Sequence, residues 1–214
     1  MAELVLRPTA LRSGVRLEAA TVAWMTAEAI LAIGAGLAAR SVLLTAFGAD
    51  SVIELLSGAT LLWRLRAEAR GGDLERVENA ERTGVRIAAG LLAVLCLYVA
   101  ASSVAGVAFG LHPEASWLGV AVSASALVLM PVLAWRKRLV NRVLNSAALR
   151  ADIAESACCA YLAGVTLAGV AVATLTGWWW IQYVAALALL WWLVPETREA
   201  ITAARQGRAH CECD

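Results

Sequence analysis

Six runs of about 20 mostly apolar residues dominate this 214-residue chain, and a run of that length crosses the roughly 30 Å hydrocarbon core of a bilayer when it is helical. They are Glu18 to Ala39, Ser41 to Trp63, Ile87 to Leu111, Ser116 to Trp135, Leu149 to Leu175 and Trp178 to Val194. No water is present at that depth to complete the backbone's hydrogen bonds, so each run is expected to be a helix. Composition agrees, with 61% hydrophobic and only 16% charged residues, far from the balance of a soluble domain. The expected fold is an all-α integral membrane protein with six transmembrane helices. The last run is short, and a helix continuing beyond Pro195 is open to it.

The basic residues orient the bundle. With a cytoplasmic N-terminus, the inner side receives Arg7, Arg12 and Arg16, the arginines from Arg64 to Arg86, the group Arg136, Lys137, Arg138, Arg142 and Arg150, and then Arg198, Arg205 and Arg208. Only Arg40 falls outside, so the positive-inside rule puts both termini in the cytoplasm. Residues 1–17 then form a cytoplasmic segment, 18–194 the membrane domain and 195–214 a cytoplasmic tail. Met1 to Arg16 contains no apolar signal-peptide core, and the first helix is expected to be retained. Trp117 and Trp178 to Trp180 fall at outer ends, and Trp63, Trp135, Trp191 and Trp192 at inner ends, as interfacial anchors do. The 65–86 loop mixes both charge signs and reads as a solvated helix extension rather than a lipid-binding patch. The near-exclusive use of arginine over lysine suggests a GC-rich bacterial genome and hence the inner membrane.

Acidic residues inside the apolar runs carry the chemistry. Asp50 and Glu54 lie four apart in the second run, so both project from one helical face, and Ser57 and Gly58 extend that stripe. In the fifth run Asp152, Glu155, Ser156 and Cys159 define a second polar face. An acid at the bilayer centre costs roughly 2.5 to 3.5 kcal/mol on insertion scales and faces a cavity, a partner or an ion path. Every basic residue falls at a flank, so no internal salt bridge is expected, and protons or bound cations are left to neutralise the acids. Protonated, hydrogen-bonded carboxyls would satisfy packing alone. Paired acids at i and i+4, matched by Glu155 and Cys159 at i and i+4, instead favour a cation site of carboxylate oxygens and one thiolate, suited to Zn²⁺ rather than Mg²⁺ or Ca²⁺.

Secondary candidates are weaker. Glu28 in the first run reads either as a proton carrier or as a neutral packing residue. Asp152 lies nearer the cytoplasmic end, where helix capping or gating competes with ligation. Cys158 and Cys96 read as small apolar packing residues, and five cysteines at scattered positions form no disulfide framework. The terminal His210, Cys211, Glu212, Cys213 and Asp214 concentrate soft and hard donors but fall short of a closed zinc site, so they read as a weak metal-capturing tail or as plain disorder.

The stretches AFGADSVIELLSGATLLWRL and SAALRADIAESACCAYL resemble the second-helix and fifth-helix motifs of the cation diffusion facilitator family, each of which bears two metal ligands four residues apart. The resemblance implies Asp50, Glu54, Glu155 and Cys159 as ligands, divalent-cation efflux driven by protons, and a homodimer. Two departures stand out: Glu155 and Cys159 replace the common His and Asp, and only the tail follows Val194, as in a short subgroup without the cytoplasmic domain. An Asp-Pro often found after the sixth-helix Trp run is replaced by Ile181, Gln182 and Tyr183.

The leading expectation is therefore a proton-coupled divalent-cation transporter, not an enzyme, whose partners are a metal ion, protons and the lipid bilayer, with no nucleic acid and no resident cofactor. A metal-binding accessory or sensor subunit is the alternative. An intramembrane hydrolase ranks last, because no nucleophile motif accompanies the acids.

Overall fold

The computed structural model describes residues 2–70 and 74–206. They form six helices: α1 (Ala2–Ala38), α2 (Val42–Arg70), α3 (Leu74–Ala108), α4 (Trp117–Leu144), α5 (Ala147–Thr176) and α6 (Ile181–Gln206), with no strand among the described residues. Five segments are long and apolar enough to cross a membrane: Thr9–Ala38, Val42–Arg70, Arg86–Ala108, Trp117–Leu144 and Ala148–Thr176. The chain is a multi-pass membrane protein of all-helical architecture.

Helix α6 is not among those five, because its apolar part runs only from Ile181 to Val194 before Glu196, Arg198 and Glu199 intervene. Trp178 to Trp180 lie in the turn ahead of it. The helix passes through Pro195 and ends at Gln206, so the boundary expected after Val194 falls inside it. A proline costs one intrahelical hydrogen bond, which the burial of Thr197, Ala200 and Ala203 offsets. Helix α1 likewise starts well before Glu18, with Ala10, Leu11 and Gly14 buried.

Polar residues at the helix ends set the turns. Arg40 adopts the left-handed conformation at φ 52°, and the following Ser41 accepts from Leu44 N while donating to Gln182 Oε1 at 2.5 Å, which ties the start of α2 to α6. Ser116 caps α4 through Gly119 N, and Ser146 caps α5 through Leu149 N. Asn145 and Gly177, both left-handed, close α4 and α5.

Neighbour relations place the helices in two rows of three. Within the rows α1 packs on α2, α2 on α3, α4 on α5 and α5 on α6; between them α1 faces α4, α2 faces α5 and α3 faces α6. Successive helices run antiparallel, and the two helices with acidic stripes, α2 and α5, are the middle members. A core of Leu43, Leu44, Phe47, Val99, Leu162 and Val170 seals the end of the bundle where α2 begins.

Small residues let the rows close up. A Cβ at Gly36 would lie 2.6 Å from the backbone N of Thr45, and one at Gly48 2.7 Å from that of Ile33, so α1 and α2 touch backbone to backbone. Gly36 therefore serves packing within one chain, whereas Gly34 meets nothing within 4 Å. Gly36→Ala is expected to destabilise the detergent-solubilised protein by about 1–3 kcal/mol, and Gly34→Ala to leave it unchanged or slightly more stable; thermal unfolding of the two variants side by side checks the contrast.

Candidate functional site

Between α2, α3, α5 and α6 lies a cavity of about 720 Å³, and four carboxyl-bearing residues line its deeper part: Asp50 and Glu54 from α2, Glu155 from α5 and Glu196 from α6. Asp152 and Glu199 reach it nearer the end where α5 begins and α6 finishes, as does Arg138 of α4. The i, i+4 spacing turns Asp50 and Glu54 to the same side of α2. Glu155 is fixed by Ser57 one turn farther along, whose Oγ donates to Glu155 Oε1 at 3.0 Å. Asp50 and Glu54 are buried, and Glu54 Oε2 has no hydrogen-bond partner. The carboxylates surround the cavity without converging: among the described residues no three His, Cys, Asp or Glu side chains stand close enough together to hold one ion.

Cys159 is not part of this lining. It is buried on the other side of α5 with Met25 of α1 and Met130 of α4, and its Sγ donates to Glu28 Oε1 at 3.8 Å. Glu28 is wholly buried, accepts from Ser51 Oγ at 2.8 Å and also has the indole of Trp24 as a partner. The structure thus brings Asp50, Glu54 and Glu155 to one cavity, with Cys159 set behind its lining between Glu54 and Glu28. The neighbouring Cys158, expected to be mere packing, does line the cavity. Cys96 lies at a third place, 3.3 Å from Thr197 Oγ1.

A second departure concerns Asp152. The sequence suggested that no basic side chain reaches the interior, yet Lys137 of α4 is fully buried, with its Nζ 2.6 Å from Asp152 Oδ2 and 2.9 Å from Glu18 Oε2. Asp152 therefore has a cationic partner, unlike the acids deeper in the cavity. The flanking Arg136 and Arg138 are exposed, because residues one apart on a helix point in different directions. A slim ammonium fits between two carboxylates where a planar guanidinium would not. Gly58 of α2 makes room for the group, since a Cβ there would lie 3.0 Å from Glu18 Oε1.

Two residues of this region escaped the sequence reading. Glu196 was assigned to the tail because it follows Pro195, and Lys137 to a basic flank because arginines surround it. A signal existed for the second: Lys137 is the one lysine in a chain whose other such cations are all arginine. His210, Cys211 and Cys213 lie outside the described residues. Comparison with known protein families and with curated proteins yields no match.

Removing one member of a buried ion cluster strands the others. Lys137→Met is expected to cost about 3–5 kcal/mol in unfolding free energy, because two carboxylates then share a dry site. Combining it with Glu18→Gln and Asp152→Asn should recover most of that loss. Thermal or denaturant unfolding in detergent of the single and triple variants measures both.

Proposed function

We propose that the chain transports divalent metal cations across the bilayer, with the acid-lined cavity as the substrate's binding place. The observation that carries this reading is the meeting of Asp50, Glu54, Glu155 and Glu196 around one cavity inside a membrane-embedded bundle. Lys137 is the only buried base among the described residues, and it is engaged with Glu18 and Asp152. The four deeper acids therefore need positive charge from outside the protein, and a cation or protons supply it.

Carboxylates spread around a space of this size suit an ion that arrives with part of its water shell. Closure of α2 and α5 would then exchange water for carboxylate oxygens. Zinc or a similar transition metal is the proposed cargo, in keeping with the resemblance of the α2 and α5 stripes to those of cation diffusion facilitators. α6 would complete the sixth crossing together with the preceding Trp run, and the basic ends support cytoplasmic termini, in a bacterial inner membrane. In that orientation the cavity, which extends toward the ends of α2 and α6 and the starts of α3 and α5, opens inward. Metal bound from the cytoplasm would be discharged outside as protons take its place on the same oxygens, and a homodimer is the proposed assembly.

Zn²⁺ uptake into inverted vesicles tests the proposal. Asp50→Asn and Glu155→Gln are expected to lower the rate at least tenfold and Glu196→Gln severalfold; uptake by Asp50→Asn equal to wild type would remove the cavity from the mechanism. Protons and metal compete for the same carboxylates, so acidifying the cavity side should slow uptake in the wild type. A rate that stays constant across that titration would exclude proton exchange at this site.

A further inference from the structure

The cavity is larger and more apolar than a metal ion requires. At about 720 Å³ it falls within the range of pockets that enclose a drug-sized molecule, roughly 300–1,000 Å³, and exceeds what one ion and its ring of oxygen ligands fill. Its acids stand around the space without converging, since among the described residues no three of them come close enough to hold one ion. Between the acids the wall is apolar and aromatic, with Leu56 of α2, Leu92 of α3, Tyr161 of α5, and Trp191 and Trp192 of α6. Such a wall offers a metal ion no ligand.

Trp192 shows that the wall belongs to the site. An interfacial anchor turns its indole N–H toward headgroups and water, the role that its place in the sequence suggested. Instead the indole N–H of Trp192 donates to Glu196, a cavity acid one turn farther along α6. Its ring pairs with that of Tyr161, with centroids 5.8 Å apart and planes tilted by 43°, so α5 and α6 present a continuous aromatic surface beside a carboxyl. Asp50, only 5% exposed, lines the same cavity and takes no hydrogen bond from a described residue. Arg138 reaches the cavity only near the end where α5 begins, and it is exposed.

We infer that this cavity binds a monovalent organic cation with a flat aromatic body, its charge held by Asp50 and Glu196 and its rings lying on Tyr161, Trp191 and Trp192. A cation near the face of a tryptophan or tyrosine is attracted by the ring's quadrupole, more strongly where water is excluded. The flat body stacks on the indoles and leaves water as it does so. An anion of the same shape would meet the carboxylates as like charges, and a neutral aromatic molecule would leave them uncompensated. This ligand class goes beyond the metal reading, although it uses the same space.

The probe is ethidium, whose charge is permanent, titrated into the purified full-length chain in detergent and followed by fluorescence polarisation. Saturable binding at one site per chain is expected. Tyr161→Leu and Trp192→Leu should each weaken it about tenfold, and Glu196→Gln should weaken it as well. Tyr161 is 45% exposed, so its replacement leaves the packing of the bundle standing. Tyr161→Phe keeps the ring and should bind the dye as the wild type does. Absence of saturable binding, or wild-type affinity in both leucine variants, would overturn the inference even where Zn²⁺ uptake into inverted vesicles persists. Saturable, ring-dependent binding by a chain that takes up no Zn²⁺ would support it and count against the metal reading alone.

Discussion

Uncompensated charge is what a bilayer interior tolerates least, and the arrangement of this bundle follows from it. Glu18, Glu28, Asp50, Glu54 and Asp152 are all buried, against a single buried base among the described residues. Facing lipid, each acid would cost more than its apolar neighbours recover. The stable solution turns the acidic faces of α2 and α5 toward each other and surrounds them with the four remaining helices. The close approach of α1 to α2 at Gly36 and Gly48 serves the same end, since it keeps one flank of the polar interior closed to lipid.

Within that interior the charges divide by depth and by partner. Nearest the end where α5 begins, Lys137 holds Glu18 and Asp152 together, so one ammonium joins α1, α4 and α5. That knot fixes one row of the bundle against the other. Past it no further buried base is found among the described residues, and there the structure opens into the cavity shared by α2, α5 and α6. Pro195, which has no N–H to give the carbonyl of Trp191, lines the cavity together with that residue. Cys158 lines the cavity and Cys159 does not because, being adjacent on a helix, they face about 100° apart.

Much of this was legible from the chain alone, for reasons that are local. Hydropathy runs register helices because lipid forces backbone hydrogen bonds inside each segment, and five of the six runs correspond to helices apolar enough to span. The i, i+4 rule brought out the Asp50–Glu54 pair because it depends only on helical pitch. Where the local rule ended, so did the reading. Glu155 and Cys159 share a stripe by spacing, yet Ser57 draws Glu155 toward the cavity while Cys159 packs on Met25 and Met130. Glu196 looked like tail because a proline usually marks a boundary, whereas inward packing carried α6 through it.

The sequence by itself determined that this is a helical membrane protein with acids on two inward-facing stripes, since both properties arise from residues within a turn or two of one another. Only the tertiary structure decided which acids share a cavity, which acid takes the lysine, and which face of α5 the thiol of Cys159 occupies. Those outcomes depend on contacts between helices far apart in the chain, such as Lys137 of α4 with Glu18 of α1, and on the way a low-dielectric interior pairs a buried positive charge.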